Sequence, residues 1–296
     1  MRHTLWVEKY RSQTLDEYIG NTELKTIISK WIEKNDIPHL LLYGRAGTGK
    51  TTLAKLIAKN IECDPMYINA SDENGIDTIR DKVKAFASAA SFKSIKIIIL
   101  DEADYLTINA QASLRNVIET YSAKTRFILT CNYVERIIEP LQSRCQSFKI
   151  EPPSKKDIAI HVSNILKKEE INYNLNDLAE IINIYYPDNR KILNVIQQHV
   201  VDKQLTLSKL ETAFDIEHLI TLLSDKEGFK KIRQYIADNN ISDFEPIYRA
   251  LYDKIGTNGM ITISLADYQF KHATVVDKEI NFMACIASLI NLIKNG

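Results

Sequence analysis

The sequence predicts an α/β domain on a parallel five-stranded sheet, followed by two regions that are helical throughout. Three observations carry this. Over residues 1–150 five short apolar runs alternate with helical patterns. The pair Pro152-Pro153 ends the alternation, since proline fixes φ and removes a backbone donor. Beyond it, apolar residues recur at helical spacing only.

The five runs are His39–Tyr43, Met66–Ala70, Ile95–Leu100, Arg126–Cys131 and Ser147–Ile150. Each is short and rich in Ile, Leu, Phe or Tyr, as a strand buried on both faces requires. Helical patterns over 21–34, 50–60, 76–89 and 109–121 supply the crossovers. After the proline hinge, Ser154 is placed to cap a helix over 154–170, with Asp157 at the third position. Helices over 174–186 and 189–201 follow, separated by Pro187-Asp188, and a last helical block runs from about Ser208 to the end. Its final segment, Lys278–Lys294, is strongly apolar at helical spacing. The expected domains are 1–151, 152–206 and 207–296.

Composition bounds the function classes. Of 296 residues, 45% are hydrophobic and 26% charged, an ordinary globular balance. Lys+Arg and Asp+Glu are both 38, so any basic surface must be local. The four cysteines form no Cys-x-x-Cys pair, which argues against zinc. No stretch approaches the roughly 18 apolar residues that a membrane span needs, so no membrane association is expected. The expected location is cytoplasmic, in a bacterial host cell for a phage protein, and nuclear for a eukaryotic one.

The strongest chemical signal is Gly44-Arg-Ala-Gly-Thr-Gly-Lys50-Thr51, directly after an apolar run and opening a helix. This is the phosphate-binding loop pattern in its strand–loop–helix setting. Three of the nine glycines fall here, letting backbone N–H groups of Gly44, Arg45, Ala46, Gly47, Thr48 and Gly49 curl toward an anion at a helix N-terminus. Lys50 is placed for the β and γ phosphates of ATP, Thr51 for Mg²⁺, and Thr52 for the phosphate chain. In Ile97-Ile-Ile-Leu-Asp101-Glu102-Ala-Asp104 a buried strand ends in acids. Asp101 at the strand tip is expected in the Mg²⁺ shell, and Glu102 beside an attacking water. Asp-Glu-Ala-Asp also occurs in RNA helicases, which need two motor domains where this chain has one. In Thr130-Cys131-Asn132 a further strand ends on a polar residue, and Asn132 is placed to hold the water or sense the γ-phosphate.

Residues 1–150 resemble the small subunits of replication factor C, the sliding-clamp loader of DNA replication, and the equivalent ATPase subunit of T4-type phages. The matching stretches are Trp6–Arg11, Pro38–Gly44, Asn69–Asp72, Gly75–Arg80, Phe86-Ala-Ser, Asp101–Asp104, Asn132-Tyr133 and Leu141-Gln-Ser-Arg-Cys145. The likeness weakens through 151–200 and is only outline beyond. It implies an AAA+ domain, a helical lid and a helical oligomerisation collar. It implies that Arg144 acts in trans as an arginine finger on a neighbour's ATP, and that Arg190 senses the γ-phosphate in cis. It also places Tyr10 and Arg11 at the adenine pocket, although Lys9 and Arg11 read equally well as surface charges. Departures are Arg45-Ala46 where the family has Pro-Pro, Ser12 after Lys-Tyr-Arg where Pro is usual, and Pro187 where Gly is common. The Phe86–Phe92 run and the short length lean toward a T4-type phage source.

The segment Thr78–Ala87 reads as a helix, with Arg80 and Lys84 sharing a face and Lys82 pointing elsewhere. With Lys93 and Lys96 it makes 78–96 locally basic. In the resembled family this helix tracks the DNA phosphate backbone, so Arg80 and Lys84 are the expected contacts to primer-template DNA, independent of sequence. The implied activity is a DNA- and clamp-stimulated ATP hydrolase working with a sliding clamp, copies of itself and at least one different subunit. The alternative is another AAA+ DNA motor such as a branch-migration helicase, which would usually carry a winged-helix DNA reader in place of the collar. A small-molecule kinase leaves Ser-Arg-Cys unexplained, and a non-catalytic scaffold leaves the complete set of ATP residues unexplained.

Overall fold

The structure is a computed structural model, and it describes residues 5–206 and 216–295 apart from 240 and 242. The chain divides into two compact units, 1–206 and 207–296.

The first unit is organised by a sheet of β1 (Leu40–Tyr43), β2 (Cys63–Asn69), β3 (Ile95–Asp101), β4 (Thr125–Cys131) and β5 (Gln146–Lys149). All pairs are parallel and the order is β2-β3-β4-β1-β5. The strands have a period of two, and the inner strands β3 and β4 and most of β1 bury both faces, while the edge strands β2 and β5 are more open. On β3, Ile95, Ile97 and Ile99 enter one core with Leu40 and Leu42, while Ile98 and Leu100 enter the other with Leu41. Every β3 residue is buried, and each such aliphatic side chain contributes about 1.5–3 kcal/mol on leaving water.

Helices cover the sheet. After α1 (Trp6–Lys9) come α2 (Thr22–Glu33) and α3 (Lys50–Asn60), and α3 packs Leu53, Ala54 and Ile57 against the first face. The next crossover is a π-helical stretch, Thr78–Val83, running into α4 (Lys84–Ser88). Ile79 and Val83 anchor it, and Arg80 and Lys84 are exposed. On the same face lies α5 (Ile108–Tyr121), followed by the short α6 (Glu139–Gln142).

The expected basic patch is smaller than the sequence reading made it. Lys96 is 4% exposed, and its ammonium donates to the carbonyls of Phe86 at 2.6 Å, Ala87 at 3.4 Å and Ala89. It caps the carbonyl end of α4, where a cation meets the negative end of the helix. Lys93 is paired with Glu62 at 2.7 Å. Lys82 is paired with Glu73 at 2.6 Å. Arg80 and Lys84 make no ion pair among the described residues.

The helices α7 (Lys155–Lys168), α8 (Leu175–Tyr185) and α9 (Asn189–Gln198) complete the first unit. Ser154 caps α7 by accepting from Asp157 N at 3.1 Å and donates to the Asp157 carboxylate at 2.6 Å. Asp188 caps α9, accepting from Arg190 N and Lys191 N at 3.0 Å. The helix expected over 189–201 ends at Gln198, and the region is not helical throughout. Val200–Val201 (β6) and Gln204–Leu205 (β7) form an antiparallel hairpin. Two residues in left-handed conformation, Asp202 at φ 49° and Lys203 at φ 59°, join them, which is the two-residue turn matching strand twist.

The second unit contains α10 (Ile216–Leu223), α11 (Gly228–Asp238), α12 (Glu245–Ile255), α13 (Gly259–His272) and α14 (Lys278–Asn295). They surround a core of Leu219, Phe244, Tyr248, Leu251, Phe282 and Leu289. Residues 207–215, which the sequence reading assigned to the start of this helical block, lie outside the described residues. No described helix is long and apolar enough to cross a membrane.

Candidate active site

The carboxyl ends of β1, β3 and β4 open onto one cavity of about 440 Å³, within the range of about 300–1,000 Å³ typical of ligand pockets. Strand order explains the convergence. β4 lies between β1 and β3, so the loop after β1, the acids after β3 and the polar residue after β4 are neighbours.

Residues 44–49 form the loop before α3, of which Ala46, Gly47, Thr48 and Gly49 line the cavity. Gly44 has φ 149°, and a Cβ there would stand 2.6 Å from the Ile150 carbonyl oxygen. Gly47 has φ 76°, and its Cβ would stand 2.2 Å from the Asp188 carboxylate. Both positions exclude a side chain, the second because the loop touches the residue that caps α9. Gly49 is the N-cap of α3, so the positive end of that helix points into the cavity.

Lys50 is 8% exposed, and its Nζ donates to Gly44 O at 2.9 Å, Arg45 O at 2.8 Å and Asn132 Oδ1 at 2.8 Å. Burial holds the ammonium below its ordinary pKa; Cys131, Asp101 and Asp104 oppose this and Arg190 adds to it. An anion placed beside it relieves that penalty.

Asp101 is held from three sides. Thr51 Oγ1 donates to Oδ1 at 2.8 Å, the Thr130 hydroxyl donates to the same oxygen, and Tyr67 OH donates to Oδ2 at 2.7 Å. Thr130 Oγ1 also accepts from Glu102 N at 3.1 Å. Glu102 sits at φ 54°, ψ 42°, a left-handed conformation uncommon for a side chain of this kind. Among the described residues no hydrogen bond holds its carboxylate. Asp104 Oδ2 accepts from Asn132 N and Tyr133 N, both at 3.3 Å, and so orients the end of β4.

The structure therefore brings together Ala46, Gly47, Thr48, Gly49, Lys50, Thr51, Thr52, Asp101, Glu102 and Asn132. Arg190 joins them from the first turn of α9, and Tyr10 and Arg11 from the chain after α1. Tyr10 OH donates to Glu169 at 2.6 Å, and Arg11 pairs with Glu8 at 2.5 Å. Gly44 and Arg45 support Lys50 through their carbonyls and do not line the cavity. Arg144 lies elsewhere, in a shallow depression shared with Trp31, Arg126 and Gln146. Arg80 and Lys84 are also outside the cavity.

Sequence reasoning missed Tyr67 and His161, and quoted Thr130 and Asp104 within motifs without giving either a role. Tyr67 is 45% exposed with Lys55 Nζ 4.2 Å above its ring. It sits on β2 in register with Ile99, two residues short of the pairing of Asn69 with Asp101. Parallel register was the available signal, but it requires knowing that β2 pairs with β3. His161 reaches the cavity from α7, and burial lowers its pKa.

The residues fit a magnesium nucleotide. Thr51 and Asp101 offer hard oxygen donors, and Mg²⁺ takes one or two protein oxygens beside phosphates and water. Lys50 and the start of α3 supply the positive field a polyphosphate needs.

Comparison with known proteins agrees with this geometry. Residues 40–152 match the family model described as ATPase family associated with various cellular activities (AAA). The replication factor C small subunit of Sulfolobus acidocaldarius is 34% identical over 310 residues, covering 96% of this chain and 95% of that protein. The small subunit of Archaeoglobus fulgidus is 44% identical over 200 residues, covering 65% of this chain and 63% of its own length. A probable replication factor C subunit 5 of Dictyostelium discoideum is 41% identical over 201 residues, covering 65% of this chain and 58% of that protein. Among solved structures, the RuvB Holliday junction branch migration motor of Thermotoga maritima superposes with a TM-score of 0.59 at 17% identity, covering 87% of this chain and 84% of that one. At that identity the likeness shows the fold alone.

Proposed function

Since the chain belongs to the replication factor C small-subunit family, we propose that it is the ATP-switched subunit of a DNA sliding-clamp loader. On this reading ATP binding assembles a spiral of subunits that opens the clamp and grips primer-template DNA. Hydrolysis then releases the loaded clamp.

One observation carries the reading: Lys50, Thr51, Asp101, Glu102 and Asn132 share a cavity from which Arg144 is absent. The cis groups bind and orient. Lys50 and the α3 N-terminus hold the phosphates, Asn132 fixes the Lys50 ammonium, and Thr51 with Asp101 would hold Mg²⁺. The ion, when bound, neutralises charge on the β and γ phosphates. Glu102, whose carboxylate is unpaired among the described residues, takes the part of the water-polarising base. Arg190 reports the γ-phosphate to α7–α9, so 152–206 works as a lid. Its contact with the phosphate loop is Asp188 against Gly47. The remaining charge stabilisation falls to Arg144 of a neighbouring copy.

Outside the site, Arg80 and Lys84 are exposed and free of ion pairs among the described residues, which supports contact with DNA phosphates. Met260, Ile263 and Phe270 are 59%, 64% and 78% exposed on one face of α13, beside the Asp267–Lys271 ion pair, which suits packing against other subunits in a helical collar. The working partners are then the clamp, primed DNA, further copies and at least one different subunit. The test is ATP turnover with and without primed DNA, the cognate clamp and the co-expressed partner. Strong stimulation is expected, and its complete absence would remove the clamp-loading assignment.

A further inference from the structure

Arg144 follows α6, and one side chain from another element holds it. Glu119, in the last turn of α5, accepts at Oε1 from Arg144 Nε at 2.6 Å and from Nη2. On another edge of the guanidinium, Pro140 O accepts from Nη1 at 2.6 Å. A guanidinium carries five N–H donors in one rigid plane. Three are used, two remain, and the Arg144 side chain keeps 31% exposure. Glu119 is 47% exposed, and a pair this open contributes little to stability. What the pair does supply is geometry. It fixes the plane of an otherwise flexible side chain, and α5 is a rigid support because Leu114, Val117 and Ile118 are buried in the core.

We propose that Glu119 is the positioning residue of the trans-acting arginine. It splints the Arg144 guanidinium against α5, leaving two donors for a phosphate bound in the neighbouring copy. The proposal rests on the reading of Arg144 as acting in trans. A long side chain already fixed before docking loses less rotamer freedom when the interface closes. The carboxylate engages donors that the phosphate does not need, so it stays bound while Arg144 works.

Mixed complexes test this, assembled with the partner subunit on primed DNA. A Lys50→Ala chain keeps Arg144 and loses its own nucleotide site. An Arg144→Ala chain keeps the site and loses the arginine. Mixing the two is expected to recover stimulated hydrolysis, with Lys50→Met as the substitute if Lys50→Ala does not fold. Adding Glu119→Ala to the Lys50→Ala chain is expected to lower the recovered kcat about tenfold with KM for ATP unchanged, as misplacement of a catalytic group does. Glu119→Gln, which keeps the acceptor oxygen, is expected to fall between. Placing Glu119→Ala on the Arg144→Ala chain instead is expected to change nothing, because the side chain it would hold is gone. A recovered rate that rises, or that falls equally whichever chain carries the substitution, overturns the positioning role and leaves the trans reading standing. No recovery in the parent mixture overturns the trans reading, and this proposal with it.

Discussion

The nucleotide cavity and the surface around Arg144 belong to the same compact unit and are built in opposite ways. In the cavity Asp101 receives three hydrogen bonds and Lys50 makes three, with both residues under a tenth exposed. At Arg144 one carboxylate and one carbonyl hold a half-open side chain. On the proposed reading the difference teaches that binding is preformed and activation is not. A buried network in which Lys50 and Asp101 each make three bonds is costly to disturb and keeps one geometry. On the same reading a partly exposed guanidinium with spare donors can take an acceptor from outside.

Substitutions sharpen this contrast in descending order. Lys50→Ala removes the cation that the cavity exists to present, and titration with a fluorescent ATP analogue is expected to show binding lost by more than about 100-fold, on the scale of a charge-assisted contact in a buried site. Arg144→Ala is expected to lower DNA-stimulated turnover by about 10³-fold, the low end for an arginine finger, while the same titration reads wild-type affinity. If Arg144→Ala abolished nucleotide binding as well, the two regions would not be separable. Thr130→Val removes a hydroxyl bonded to the Asp101 carboxylate and to Glu102 N. Bonds to charged groups are worth about 1.5–3 kcal/mol, so a turnover loss near tenfold is expected, with a raised Mg²⁺ requirement.

A parallel contrast exists among the cations of residues 78–96. Lys96→Met leaves the carbonyls at the end of α4 without their donor, and chemical denaturation is expected to show a loss of about 2 kcal/mol. DNA affinity should stay put, since Lys96 is internal. Arg80→Ala with Lys84→Ala is the smallest effect on the fold. It is expected to weaken DNA binding several-fold and flatten its salt dependence by about two phosphate contacts, one per side chain. Equal behaviour of the Lys96 and Arg80/Lys84 variants in a salt titration would break the distinction.

Much of the first unit was legible because its signals are local. Five strands were placed within a few residues, since runs such as Ile95–Leu100, apolar at five of six positions, are short and flanked by helical patterns, as a strand covered on both faces requires. The phosphate loop declares itself by glycines at fixed offsets before Lys50. The illegible features depend on pairings distant in sequence. Lys96 reads as surface charge until α4 is seen to end against β3. Tyr67 reads as an apolar strand residue until β2 is set beside β3, which brings its hydroxyl to Asp101. Val200-Val201 extends a helical pattern until the Asp202-Lys203 turn folds β7 back onto it, a competition that β-branched residues settle for the strand. Glu119 is one polar residue of an amphipathic helix, and nothing in α5 alone points to Arg144.

The central claim is that one chain carries a nucleotide site but not a complete ATPase. The direct measurement is ATP turnover per chain across a dilution series spanning assembly, with mass photometry reporting the oligomer at each concentration. The account predicts near-silent monomers that still bind ATP, with turnover rising as assemblies with the partner subunit form on primed DNA. Turnover per chain that stays constant from monomer to full assembly would contradict it.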